Sequence, residues 1–124
     1  MRRNYIVKVN KNSQKFLLVK FDSSSCQSLS NFLNSEVHNF YLHVREALEN
    51  VISGNMEEDA FAGNLLGIEI GKEVTEVYFQ FEEEILGEPC FISTDELYKL
   101  VIEWKEIEDK MYSGEDVFPL MIED

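Results

Sequence analysis

The chain has 124 residues, of which 44% are apolar and 28% charged, and its nine Phe, five Tyr and one Trp supply the material for one folded core. This composition excludes a disordered acidic tail and indicates one domain, covering residues 1–124. A formal net charge of −13 argues against direct binding to nucleic acid or to an anionic membrane and favours a basic protein as partner.

The negative charge is concentrated in the second half of the chain. Residues 55–124 hold 20 acidic and 4 basic side chains, whereas residues 1–54 hold 4 acidic and 7 basic ones. No apolar stretch has the length of a signal peptide or of a membrane span, so we expect a cytoplasmic protein. The two cysteines, Cys26 and Cys90, lack the spacing of metal ligands, and we expect free thiols there.

Two strand-like segments open the chain. Residues 5–9 and 16–21 are rich in β-branched and aromatic side chains, and the polar residues between them predict a hairpin. A loop of Asp and Ser residues follows, because these side chains bond to their own backbone and favour turns.

A long helix is predicted after this hairpin. From Ser35 onwards, apolar residues recur with a period of 3.6 as far as Ile52. Ser35 suits the N-cap, and Gly54 can end the helix in the left-handed conformation. The apolar residues within 29–33 suggest a further helical turn that packs beneath it.

The next segments predict a second hairpin. Residues 66–70 and 73–81 flank Gly71-Lys72, and glycine first in a two-residue loop suits a type II′ turn. Residues 60–67 are compatible with either a bulged strand or a loop. In the longer strand Glu76 and Tyr78 belong to a half-polar face, so one side of the sheet is expected to be open to solvent or to a partner.

The C-terminal third predicts a short strand at residues 90–92 and a second long helix. Ser93 and Glu96 form a capping box, and an apolar stripe runs through Trp104 to Met111. Trp104 is expected in the core, and Glu103 on the outer face of the helix near Lys99.

Residues 117–122 predict an edge strand or a docked tail. The order of elements then predicts an α+β domain, with an antiparallel sheet of about five strands and two main helices packed on one face.

No feature of the sequence supports catalysis. His38 and His43 are five residues apart on the predicted helix and do not share the face that a common metal ion requires. The glycines at 63, 67 and 71 precede a strand, whereas a phosphate loop leads into a helix. No nucleophile signature is present. We therefore expect no catalytic residues, no cofactor and no metal, although a site built from carboxylates of separate strands stays open.

The second half of the chain resembles small bacterial immunity proteins, among them those of contact-dependent growth inhibition systems. The resemblance is carried by Gly63-Asn64 before a hairpin, an acidic connector, Ser93 and its neighbours opening a helix, and the run from Leu100 to Trp104. It implies an α/β or α+β domain that binds and blocks the C-terminal toxin domain of a large exoprotein, frequently a tRNA or DNA nuclease. It implies no shared catalytic residues.

An acidic surface fits such a partner, because a nuclease presents basic side chains to phosphates. The sequence therefore predicts a cytoplasmic, non-catalytic immunity protein that neutralises a cognate toxin. An acidic adaptor or a nucleic-acid mimic for another basic protein is the alternative, and the acidic run is otherwise a solvated loop. The predicted partner-binding residues are Glu82, Glu83, Glu84, Glu88, Glu57, Glu58 and Asp59, with Tyr78 and Phe91 as anchors.

Overall fold

Seven strands form two antiparallel sheets in the computed structural model, which describes residues 1–22, 26–81 and 87–124. The strands are β1 (Arg3–Val9), β2 (Lys15–Phe21), β3 (Asp59–Ala62), β4 (Leu66–Ile70), β5 (Val74–Phe79), β6 (Cys90–Ser93) and β7 (Leu120–Ile122). One sheet has the order β2-β1-β7 and the other β3-β4-β5-β6. The predicted α+β class is confirmed, but the prediction of a single sheet of about five strands is wrong. The C-terminal apolar run does form an edge strand, paired with β1.

The helices are α1 (Gln27–Asn31), a π-helical segment (Phe32–Val37), α2 (His38–Ile52) and α3 (Thr94–Tyr112). The first three follow one another without a break, so Ser35 lies inside the π-helical segment and is not an N-cap. The early apolar residues are the reason: Leu29, Phe32 and Leu33 are fully buried and extend the helical stripe towards the N-terminus. The predicted end is confirmed, since Gly54 has φ of 84°.

The helices cover one face of the four-stranded sheet and also touch the other sheet. α2 contacts β3 and β4, while α1 contacts β5 and β6 as well as β2. The buried side chains of the strands therefore meet the helical stripe, with Trp104 fully buried as predicted. The predicted N-cap of α3 at Ser93 is confirmed, because its hydroxyl accepts a hydrogen bond from the Glu96 amide at 3.2 Å, but the described residues show no reciprocal bond from the Ser93 amide to the Glu96 side chain.

A disulfide joins the start of α1 to β6. Cys26 and Cys90 are bonded, with their Cα atoms 5.4 Å apart. The expectation of two free thiols is therefore wrong. Spacing in sequence could not reveal this pair, because the cysteines are 64 positions apart and the chain between them folds back to place α1 beside β6.

The β4–β5 connection is a hairpin, but it is not a two-residue type II′ turn. Gly71 lacks the positive φ that such a turn requires at its first position, and Ile70 pairs with Thr75. The start of α3 explains the longer loop. The Thr94 hydroxyl donates to the Gly71 carbonyl at 2.6 Å, and the Thr94 amide donates to the Glu73 carbonyl at 3.0 Å.

A partly buried ion network, centred on the buried Arg3 side chain, attaches the three-stranded sheet to α3. Arg3, which is 3% exposed, donates to both carboxylate oxygens of Glu103 and to both of Asp124. The Tyr5 hydroxyl donates to Glu103 at 2.6 Å. Glu103 thus binds two residues of β1. The helical period alone predicts it on the solvent-facing side of the helix, and that prediction is wrong.

Candidate functional site

The face of the four-stranded sheet that points away from the helices is the candidate site, and we call it the open face. Alternation along the strands places its members there, and most of them are exposed. Phe91 is 65% exposed and Val74 52%, which is high for large apolar side chains in a sheet. The open face consists of Ala60, Ala62, Gly67, Glu69, Val74, Glu76, Tyr78, Phe91 and Ser93. Its position agrees with the prediction that the side bearing Glu76 and Tyr78 is wet.

One row of residues crosses the open face from edge to edge. The strand registers pair Ala60 with Glu69, Glu69 with Glu76, and Glu76 with Phe91. Directly opposed residues have Cβ atoms about 5 Å apart, so two carboxylates lie side by side in the middle of the sheet. Within the described residues, neither carboxylate has a basic group within 4 Å. Like charges in this arrangement destabilise the free protein.

Tyr78 lies across β4 beside this row. Its partner in the register is Gly67, and a Cβ atom at Gly67 would be 2.7 Å from the Tyr78 hydroxyl oxygen. The missing side chain therefore makes room for the tyrosine ring. Burial raises the pKa of Tyr78, and the charges of Glu69 and Glu76 raise it further. The negative charges of both carboxylates therefore disfavour ionisation of the Tyr78 phenol.

An acidic cleft adjoins the row at the β3 edge. It has a volume of about 410 Å³ and is lined by Glu58, Asp59 and Glu69 together with neighbouring residues of β3 and β4. Asp59 is fixed by two hydrogen bonds, from the Asn50 side chain at 3.2 Å and from the Ala60 amide at 2.8 Å. Glu58 is exposed. Asp59 pairs with the buried Ile70 and accepts a hydrogen bond from α2, so it faces the helices, and Glu69 is the member of this cleft that lies on the open face.

The structure brings together some of the predicted binding residues and not others. Tyr78 and Phe91 share the open face, and Glu58 and Asp59 line the adjacent cleft. Glu57 lies next to them but forms an exposed ion pair with Lys72 at 3.5 Å.

The remaining predicted residues lie in or beside the connector to β6. Glu82, Glu83 and Glu84 lie outside the described residues, and Glu88 is exposed in the segment before β6.

Glu69 and Glu76 were missed by the sequence prediction. Two features of the sequence could have identified them. The alternation of β5 assigns Glu76 to the wet face, and the correct hairpin register would place Glu69 opposite it. A two-residue loop would pair Ile70 with Glu73 and so place Val74 opposite Glu69. The longer loop brings Glu76 there instead.

The described residues offer little support for other kinds of site. Within residues 1–22, 26–81 and 87–124, no group of three His, Cys, Asp or Glu side chains is arranged to hold a metal ion. His38 is used structurally, with its Nδ1 atom 2.7 Å from the Glu108 carboxylate. None of the helices in these ranges combines the length and apolar character that a membrane crossing demands.

Comparison with known proteins supports the resemblance drawn from the sequence. A Bacillus cereus protein named "Immunity protein" is 30% identical over 88 residues, which cover 71% of this chain and 75% of that protein. No protein-family model matches the chain, and no solved structure matches it at a significant level. On the strength of this shared sequence, the chain belongs to the immunity proteins.

Proposed function

We propose that this protein binds a cognate bacterial toxin domain and neutralises it by covering a basic surface. Its membership of the immunity proteins is the observation that carries the proposal. The open face adds a physical rationale, because it combines exposed apolar side chains with carboxylates that have no ion-pair partner within the described residues. The protein itself acts by occupation of the toxin and catalyses no reaction.

The chemistry of the proposed toxin is nucleic-acid cleavage. A nuclease must bind phosphates, so its active cleft carries lysine and arginine side chains. A protein with a net charge of −13 attracts such a surface over many ångströms and accelerates encounter. The toxin belongs, in this proposal, to a contact-dependent or other polymorphic toxin system, as the C-terminal domain of a large exoprotein.

The contact surface of the proposal has two parts. The first is the open face with Tyr78 and Phe91 as anchors, because buried aromatic side chains supply much of the binding energy in interfaces. The second is the acidic rim, which steers association and selects the partner. Its proposed members among the described residues are Glu57, Glu58, Asp59 and Glu88, and the sequence prediction adds Glu82, Glu83 and Glu84, which lie outside the described residues.

Co-expression tests the function directly. The toxin domain encoded in the adjacent reading frame is induced in a sensitive host with and without this protein. We expect growth arrest by the toxin alone and rescue by the wild-type protein. Rescue should coincide with loss of tRNA or DNA cleavage in vitro when the purified protein is added. No rescue, with both proteins soluble and expressed, contradicts the proposal.

Salt dependence tests the electrostatic part. The affinity for the toxin domain is measured by calorimetry between about 50 and about 500 mM salt, a range over which screening shortens from beyond 10 Å to a few ångströms. We expect the affinity to fall steadily. An affinity independent of salt contradicts an acidic contact surface. Capture of a host nucleic-acid-binding protein, with no binding to the toxin, favours the adaptor or mimic alternative.

The proposed location is the cytoplasm, where the toxin acts. Thiols there are kept reduced, so the Cys26–Cys90 pair gives an independent check. Cells are quenched in acid and the denatured protein is alkylated. A cytoplasmic pool should carry two modified cysteines, whereas a protein exported to an oxidising compartment should carry none.

A further inference from the structure

We propose that the open face is built to receive an arginine side chain of the toxin, held between Glu69 and Glu76 and stacked against Phe91. This inference rests on the proposed function and specifies the partner group that the site recognises. It is drawn from the register of three strands, from exposure and from charge.

The opposed carboxylates are the first step. Glu69 and Glu76 are paired across β4 and β5, in the centre of the sheet rather than at a flexible edge. Such a pair repels itself in the free protein, and no basic side chain within the described residues compensates it. A cation that enters between them removes this repulsion and gains two attractive contacts. The site is therefore more favourable to a cation than two separate exposed glutamates would be.

The neighbouring aromatic side chains are the second step. Phe91 is opposite Glu76 in the register and is 65% exposed, so its ring is available to a ligand of that carboxylate. Tyr78 is two residues along β5 from Glu76, and its ring lies over Gly67 of β4. The tyrosine therefore borders the row on one side. A cation above this row meets aromatic surface as well as charge, and the face of an aromatic ring attracts a cation.

Geometry favours arginine over lysine as that cation. A guanidinium group is planar, presents five donors in a fixed fork and stacks on aromatic rings. It can therefore donate to two glutamates whose Cβ atoms are about 5 Å apart and place its plane against Phe91 at the same time. An ammonium group is more strongly hydrated and has no plane to stack.

The test uses hexa-arginine and hexa-lysine, which carry equal charge, as probes of the isotope-labelled protein. Chemical shift changes on titration are followed at low salt. We expect the largest changes at Glu69, Glu76 and Phe91, with hexa-arginine bound about fivefold more tightly than hexa-lysine. The double variant Glu69→Gln/Glu76→Gln should lower the hexa-arginine affinity about tenfold.

A matched variant controls for net charge. Glu46→Gln/Glu106→Gln removes two exposed carboxylates from α2 and α3, on the opposite side of the sheet, and should change the affinity by less than about twofold. Phe91→Ala should bring the ratio of the hexa-arginine affinity to the hexa-lysine affinity close to one. Equal losses in the two double variants, or shifts that spread evenly over the helices, overturn the arginine site.

The co-expression assay separates this inference from the proposed function. Wild-type rescue together with undiminished rescue and toxin affinity for Glu69→Gln/Glu76→Gln overturns the arginine site and leaves the immunity function intact. Failure of the wild-type protein to rescue contradicts the function itself. Because glutamine removes repulsion at this position, the variant is expected to stay folded, and a thermal melt verifies this.

Discussion

Glu36 shows how a single buried side chain can organise a loop. Its carboxylate is 1% exposed and accepts hydrogen bonds from three successive backbone amides, those of Asn64, Leu65 and Leu66, at 2.7–3.0 Å. A Cβ atom at Gly63 would lie 2.5 Å from the Glu36 carboxyl carbon. The loop between β3 and β4 is thus wrapped around an anion supplied by the π-helical segment.

Replacing this anion should destabilise the fold. Glu36→Gln puts an amide NH₂ group against backbone donors and removes the charge, and we expect a loss of about 2–3 kcal/mol in the free energy of unfolding. Urea unfolding followed by circular dichroism measures it. Glu106→Gln, an exposed glutamate on α3, is the control and should change the value by less than about 0.5 kcal/mol. A Glu36→Gln variant as stable as the wild type would show that these three bonds contribute nothing.

The paired glutamates of the open face lead to the opposite expectation. Glu76→Gln relieves the repulsion from Glu69, so the free protein should become more stable by about 0.2–1 kcal/mol. Thermal unfolding at low salt provides the measurement, and the gain should shrink at high salt because screening weakens the repulsion. Glu46→Gln is the matched single control. A loss of stability on replacing Glu76 contradicts the described register.

At the scale of elements, the disulfide couples α1 to β6 and so secures the edge strand that carries Phe91. Closing a loop of 64 residues restricts the unfolded chain, and the expected contribution is roughly 4 kcal/mol. Cys26→Ser/Cys90→Ser should therefore lower the melting temperature relative to the oxidised protein. Reduction of the wild type by dithiothreitol should give the same shift. A reduced protein that melts like the oxidised one excludes a stabilising role for this bond.

Local patterns predict some elements of this fold well and others poorly. The helices with long apolar stripes follow from their period, and the caps at Gly54 and Ser93 follow from side-chain chemistry. The β4–β5 loop could not be predicted, because its length depends on Thr94, which binds the loop from a different element. The start of the first long helix was placed too late for a similar reason: burial of Leu29 by the sheets outweighs the capping preference of Ser35.

The site was predictable to the same limited degree. Alternation within β5 predicts the wet face and places Tyr78 on it, and the structure places Phe91 of β6 on the same face, whereas their role as binding anchors stays a prediction. The pairing of Glu69 with Glu76 requires the register, which depends on tertiary contacts. The division into two sheets likewise depends on the contact of β1 with β7, which come from opposite ends of the chain.

At the scale of the whole molecule, the network of Arg3, Tyr5 and Glu103 determines how the three-stranded sheet meets α3. Burial, followed by the hydrogen bond to Glu103 and its charge, raises the pKa of Tyr5 well above its usual range. The folded protein therefore keeps the phenol proton where the unfolded chain loses it. The contribution of the protonated Tyr5 to the free energy of unfolding is fully present below a pH of about 10 and is lost as the pH rises further.

Alkaline unfolding tests this coupling. Between pH 10 and 11.5 the free energy of unfolding of the wild type should fall more steeply than that of Tyr5→Phe, by about 1.4 kcal/mol per pH unit once the unfolded phenol is ionised. Tyr112→Phe, at an exposed tyrosine, is the control and should keep the wild-type slope. Parallel slopes for the wild type and Tyr5→Phe would show that Tyr5 is not held protonated by the fold.

The opposed glutamates of β4 and β5 also have a consequence for how the sequence can evolve. The repulsion between them is expected to destabilise the free protein. A mutation that replaces one of them with a neutral residue should therefore give a more stable fold. If the pair binds the toxin as proposed, only exposure to that toxin opposes this drift towards neutral residues. A lineage that loses its toxin gene should therefore lose one of these carboxylates early, before its core changes, and the pair becomes a marker of immunity that is still under selection.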